Sequence, residues 1–250
     1  MTLRRGRKGE RGHGGDAGMI LGVIQGRMSS SRLPGKVLAP VLDMPMIGRQ
    51  VERLRRSRRL DALVLATSRE SSDDPLADYC ASLGIGVTRG PLEDVLARFA
   101  LALDGFPQAA TLVRLTADCP LTDWRVLDAM IDRHLATGAD YTTASLPHRT
   151  FPHGLDVEAA RVEAFRTAVA EAVDPYDREH VTPFLYRNPQ RFRIEGLTRE
   201  PSLAHLRWTV DYPEDLDFVR HVYAALHAGN PDFGTEEIAA LDWNSSKAPV

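Results

Sequence analysis

The chain predicts an α/β fold, a three-layer sandwich around a mostly parallel sheet, on three observations. First, residues 20–24, 63–68, 85–88 and 111–116 are short, nearly continuous apolar runs, the pattern of strands buried on both faces. Second, the stretches between them repeat apolar residues at helical spacing, and strands alternating with helices imply parallel pairing through right-handed crossovers. Third, polar residues follow several strands directly: Gln25-Gly26-Arg27, Asp118 and Asp211. In an open α/β sheet the carboxyl ends of strands share one edge, where ligands are held.

Residues 20–24 form the first strand and empty into a loop holding Arg27, three serines, Arg32, Gly35 and Lys36. Three cations among small residues suit a polyphosphate, since arginine offers a planar donor fork and lysine a mobile charge. The loop matches neither the dinucleotide glycine fingerprint nor the P-loop pattern. After a short apolar run at 37–41, a helix follows with Ile47, Val51 and Leu54 inward and Arg49, Arg53, Arg55, Arg56, Arg58 and Arg59 on its exposed side and end. The strand at 63–68 ends in hydroxyls, and residues 71–75 read as a loop and helix cap. Leu76, Tyr79, Cys80 and Leu83 then make an inner helix stripe.

The strand at 85–88 leads to a helix over 91–103, and the strand at 111–116 to a helix over 124–135. Residues 140–144 read as another strand. An excursion rich in proline and histidine occupies 145–156, followed by a helix over 159–173 and a strand at 191–197. Residues 206–210 are expected to return to the sheet as a strand, before a helix that reaches about residue 226.

With 250 residues, 43% of them hydrophobic, the chain suits a single domain over 19–250, with 145–200 contributing a substrate and dimer lobe. Residues 1–18 carry five basic and two acidic groups and almost no apolar side chain, and read as a disordered basic tail. The remaining 26 basic and 32 acidic residues argue against a nucleic-acid surface. No segment approaches the roughly 20 continuous apolar residues that span a bilayer. The expectation is a cytoplasmic protein with no membrane insertion. Cys80 and Cys119 fit neither a disulfide framework nor a zinc site.

Asp118 and Asp211 each follow a predicted core strand. If both strands run the same way in one sheet, the two carboxylates converge, and beside phosphate-binding cations they suit Mg²⁺. The competing reading makes each a cap, Asp211 for the helix at 213 and Asp118 for the turn before Pro120. A second constellation comprises His153, Asp156, Glu158, Arg178, Glu179 and His180, whose spacing names no zinc site.

The segments GVIQGRMSSSRLPGKVL, LVLATSRESSDDPLADYC, VTRGPLEDVLARF, VRLTADCPLTD, PHGLDVE, DPYDREHVTPFL and HLRWTVDYPEDLDFV together resemble the spore-coat polysaccharide biosynthesis branch of the cytidylyltransferase-like proteins. More distantly the chain is similar to acylneuraminate and 3-deoxy-manno-octulosonate cytidylyltransferases. The resemblance covers residues 20–226. It implies the nucleotide-diphospho-sugar transferase type of Rossmann-like fold, a homodimer, and transfer of CMP from CTP to an acidic sugar with release of pyrophosphate. The implied catalytic residues are Arg27, Lys36, Asp118 and Asp211, the two aspartates being the Mg²⁺ ligands. The implied nucleotide side comprises Gln25, Gly26, Arg27 and Lys36, then Ala66, Thr67 and Ser68, then Arg89, Gly90 and Asp94. The implied sugar side comprises His153, Asp156, Glu158, Arg178 and Glu179. Two departures stand out: Gly26 occupies a position where alanine is commoner, and Ala117 one where glycine is usual. Activation of a sugar 1-phosphate, glycosyl transfer from a nucleotide sugar, and non-catalytic sugar-nucleotide binding stand as alternatives.

Overall fold

The computed structural model describes residues 18–241; residues 1–17, and with them nearly all of the expected basic tail, lie outside it. The first strand is β1 (Met19–Gln25), followed by a short 3-10 turn at Lys36–Leu38 and a small hairpin of β2 (Pro40–Val41) and β3 (Met44–Pro45). Then come α1 (Met46–Leu54), β4 (Ala62–Ser68), α2 (Asp74–Ser82), β5 (Gly86–Gly90), α3 (Val95–Asp104), β6 (Ala109–Thr116) and α4 (Trp124–Thr137). The second half adds β7 (Tyr141–Thr143), β8 (Glu158–Arg161), α5 (Val162–Glu171), α6 (Pro175–His180), α7 (Pro183–Tyr186), β9 (Ile194–Gly196), α8 (Pro213–Leu226) and α9 (Thr235–Ala239).

The main sheet has the order β5-β4-β1-β6-β8-β7-β9. Strands β5, β4, β1 and β6 are mutually parallel, and β8 alone runs against its neighbours β6 and β7. The sheet is thus mostly parallel, as the apolar runs require. Along β1, Ile20 and Ile24 enter one core and Leu21 and Val23 the other, so the strand is sealed by helices on both faces. From β1 the chain steps outward through β4 to β5 and then crosses back to β6 on the other flank. That reversal opens a crevice over the carboxyl ends of β1 and β6.

Helix ends follow local chemistry. The Asp94 carboxylate accepts from Ala97 N at 2.9 Å and caps α3, and Asp123 accepts from Arg125 N at 3.0 Å and caps α4. Each such cap contributes about 1 kcal/mol. Gly138, at φ 61°, ends α4 in the left-handed conformation that glycine adopts without penalty.

Several sequence expectations need correction, among them the helix expected from 91, which begins only at Val95 after the Asp94 cap. Residues 206–210 form no strand; they touch the β structure only through a bridge between His153 and Arg207. Their alternation is real, since Trp208 and Val210 are buried, but it is satisfied by packing. Trp208 N donates to His153 O at 2.6 Å and Val210 N to Asp118 O at 2.8 Å. Gly154, at φ 104°, permits this approach, because a Cβ there would lie 2.6 Å from Thr209 N. The helix expected from 159 begins only at Val162, because Ala159 and Ala160 pair with Val113 and Leu112 of β6; pairing overrides helix propensity. Finally, Arg49 and Arg53 are not on an exposed face but buried. Arg53 donates to Thr122 O and Phe233 O at 2.9 and 3.0 Å and lies over the Phe233 ring, pinning the C-terminal segment. Among the described residues no helix is long and apolar enough to cross a membrane.

Candidate active site

The crevice over β1 and β6 is a cavity of about 850 Å³, bordered by the first loop, the turn after β6 and the α6–α7 segment. Its floor is fixed by the backbone: Gly26 N donates to Ala66 O and Ala117 N to Gln25 O. The loop is held from beneath by Asp73, whose carboxylate accepts from Met28 N at 2.7 Å. The other Asp73 oxygen accepts from Thr67 Oγ1, Ser68 N and Ser68 Oγ. Burial would raise the Asp73 pKa, but the hydrogen bonds from Ser68, Met28 and Thr67 outweigh it and hold the carboxyl below its usual range.

Lys36 stands at the centre. Only 8% exposed, it places Nζ 2.5 Å from Val210 O, 3.1 Å from Asp211 Oδ1 and 3.5 Å from Asp118 Oδ2. Two carboxylates 93 positions apart in sequence therefore meet one ammonium. The joint between their loops is the Val210 N to Asp118 O hydrogen bond, so a packed segment does the work expected of a strand. Asp211 also pairs with Arg32 at 2.6 Å and Arg207 at 2.7 Å. Burial opposes its ionisation, yet Arg32, Arg207 and Lys36 together push its pKa far below the ordinary carboxylate value. Asp211 does not cap α8: Tyr212 is the N-cap residue, and Asp215 in the first turn accepts from Asp211 N and Tyr212 N at 2.8 and 2.9 Å. Asp118 meets the Cys119 thiol at 3.5 Å; burial raises that thiol's pKa and keeps it protonated.

On the far side, Arg114 of β6 and Glu158 of β8 face each other across the strand pair, 2.6 Å apart, and Arg114 Nε donates to Gln25 Oε1 at 3.0 Å. Arg149 pairs with Asp156 at 2.6 Å. Glu179 and His180 border the cavity, with the His180 ring 4.2 Å from that of Tyr176.

The cavity wall includes Gln25, Gly26, Arg27, Lys36, Asp118 and Asp211. From the sugar side it includes Asp156, Glu158 and Glu179. Other expected site residues stand behind the wall. Ala66, Thr67 and Ser68 are fully buried, and both hydroxyls serve Asp73. Arg89 donates to Ser68 O and Glu70 O at 2.8 Å. Arg178 reaches Asp94 Oδ2 from Nε and Nη2 at 2.8 and 2.6 Å, tying α6 to the cap of α3. His153 joins the 206–208 segment through its backbone. Arg98 and Arg114, outside the expected set, also line the wall; the sequence signal for each is one arginine inside an apolar pattern, VLARF and TLVRLT.

The departures at 26 and 117 touch. A Cβ on Gly26 would lie 2.9 Å from the Ala117 methyl, so the two positions share room for one methyl group. Ala117 is absent from the positive-φ residues, so it carries no left-handed strain.

A family model described as cytidylyltransferase matches residues 21–224. The chain belongs to the cytidylyltransferase family. Within it, the spore coat polysaccharide biosynthesis protein SpsF of Bacillus subtilis is 34% identical over 89% of this chain and 93% of its own length. A 3-deoxy-manno-octulosonate cytidylyltransferase of Syntrophobacter fumaroxidans is 30% identical over 82% of this chain and 97% of its own. A solved cytidylyltransferase of Leptospira borgpetersenii superposes with a TM-score of 0.81 at 29% identity, covering 88% of this chain and 91% of that one. The cytidylyltransferase fold is thus shared over nearly the whole described chain.

Proposed function

We propose that this cytidylyltransferase transfers CMP from CTP to a hydroxyl of an acidic sugar, a nonulosonic or ulosonic acid, in surface polysaccharide or glycan biosynthesis. The observation that carries the reading is the Lys36 ammonium within 3.1 and 3.5 Å of Asp211 and Asp118, beside a loop bearing Arg27 and Arg32. A cation already lies between two hard carboxylates on the cavity wall, and that donor set fits Mg²⁺, which takes one or two carboxylates and completes its shell with water and phosphate oxygens. Asp118 and Asp211 would hold the ion, which when bound offsets charge on the phosphates.

The chain's own residues then do the following. Gln25 and the turn after β6 hold the nucleotide over the strand ends. Arg27 and Lys36 offset the charge that builds on the departing pyrophosphate as the acceptor hydroxyl attacks the α-phosphorus and releases its proton to solvent, and the bond to the bridging oxygen breaks. Positioning and fixed charge carry the step. Arg149 meets the acceptor's carboxylate by exchanging Asp156 for it. The chain acts in the cytoplasm as a homodimer, consistent with the family resemblance.

The test is pyrophosphate release with each of four nucleoside triphosphates against a panel of acidic sugars and sugar 1-phosphates, with Mg²⁺ or with chelator. Release with CTP and an acidic sugar, abolished by chelation, is expected. Release only with a sugar 1-phosphate, or equal release without divalent metal, overturns the reading.

A further inference from the structure

Arg98 of α3 is 3% exposed, yet its Nε and Nη1 have no hydrogen-bond partner. It borders the same cavity as Arg27. A guanidinium does not shed its proton to escape burial, so an unpartnered one calls for an acceptor from outside. Burial and, less strongly, the charge of Arg27 work against the Arg98 cation, outweighing the favourable charges of Asp73, Glu93 and Asp94. Of the carboxylates nearby, Asp73 is engaged with Met28, Thr67 and Ser68, and Asp94 with Ala97 and Arg178; Glu93, on the cavity wall, adds favourable charge without bonding Nε or Nη1 of Arg98. The stem of Arg98 reaches the cavity across Gly90, where a Cβ would lie 2.7 Å from its Cγ.

We propose that Arg98 and Arg27 form one anion subsite that takes a phosphoryl group of the nucleotide's triphosphate and keeps hold of it in the released pyrophosphate. A neutral base carbonyl would satisfy an N–H but would not offset the repulsion between Arg98 and Arg27. A phosphoryl group meets both, and its oxygens match two planar donor forks. The inference rests on the CTP reading for its physiological ligand, but its chemistry requires only an anionic phosphate.

The experiment measures inorganic pyrophosphate binding by calorimetry and by thermal shift, for the wild type, Arg98→Met and Arg98→Lys. Replacing a buried unpaired charge by an apolar group of similar volume leaves stability unchanged or raised. Arg98→Met is therefore expected to melt at or above the wild type without ligand, to bind pyrophosphate at least 10-fold more weakly, and to lose most of the pyrophosphate-induced rise in Tm. Arg98→Lys keeps the charge, loses the fork and falls between the two. Unchanged pyrophosphate affinity in both variants overturns the proposal, as does an equal loss for pyrophosphate and cytidine, which would mark a contact to the base. If Arg98→Met fails to fold, the lysine variant decides alone. Pyrophosphate binding that depends on Arg98 in a protein that does not turn over CTP sinks only the functional reading. CTP turnover with Arg98-independent pyrophosphate binding sinks only the subsite.

Discussion

The two halves of the cavity carry similar charges and organise them in opposite ways. On the acceptor side each arginine faces one carboxylate, Arg149 with Asp156 and Arg114 with Glu158, at 2.6 Å each, although Arg149 Nη1 and Glu158 Oε2 make no hydrogen bond. On the nucleotide side the charges are shared: Lys36 lies between Asp211 and Asp118, Arg207 between Asp211 and Asp215, and Arg32 joins them on Asp211, while two nitrogens of buried Arg98 go unmet. Pre-paired charges keep a shape at little electrostatic cost and give way by exchange, which favours selectivity. Unbalanced buried charges wait for a ligand of the opposite sign, which favours strong binding of a polyphosphate.

The largest effect on this contrast should come from the two carboxylates that hold its centre. Asp118→Asn or Asp211→Asn is expected to leave the circular-dichroism spectrum intact and to lower turnover by about 100-fold or more, the scale of several kcal/mol that a bound metal supplies. Unchanged activity at saturating Mg²⁺ would break the assignment. Lys36→Ala should weaken CTP by about 10-fold or more, and CMP by much less, as a charge-assisted contact to the distal phosphates requires. Equal losses measured by calorimetry would show that Lys36 does not discriminate the triphosphate.

The floor beneath the nucleotide half offers a packing test. Gly26→Ala should destabilise the protein by about 1–3 kcal/mol through overpacking against Ala117, and adding Ala117→Gly should recover most of that loss in chemical denaturation. A double variant no more stable than Gly26→Ala alone would separate the two positions. On the acceptor half, Arg149→Ala should raise KM for an acidic acceptor by about 10-fold, the worth of one charge-assisted contact, with KM for CTP unchanged. A matching rise in both constants would erase the boundary between the halves.

The smallest expected effect is a pH dependence. The folded-state pKa of Asp211 is depressed, so the stability it contributes is fully present above its unfolded value of about 3.9 and fades as pH falls toward the folded value. The stability difference between wild type and Asp211→Asn should hold constant from neutral pH down to about pH 5 and shrink only below about pH 4. A gap that closes near neutrality would mean that the three cations do not hold this carboxylate ionised.

What the sequence determined by itself were the features that live in short windows. The apolar runs of β1, β4 and β6 were legible because a strand buried on both faces needs mostly apolar character, which the single Arg114 in β6 does not hide. The loop of Arg27, Arg32 and Lys36 and the strand-end position of Asp118 were legible because turn chemistry is local. Tertiary structure decided the rest. Residues 206–210 alternate like a strand but pack as an irregular segment with Trp208 and Val210 inward, Ala159 and Ala160 left a helical pattern to pair with β6, and Thr67 and Ser68 turned from the cavity toward Asp73. Arg53 and Arg98 are both arginines buried among apolar neighbours, and nothing near them in the chain separates them. One finds Thr122 O and Phe233 O and becomes a pin; the other finds no partner for two of its nitrogens and faces the cavity. Which fate a buried charge meets depends on acceptors delivered by distant segments, and only folding brings those into reach.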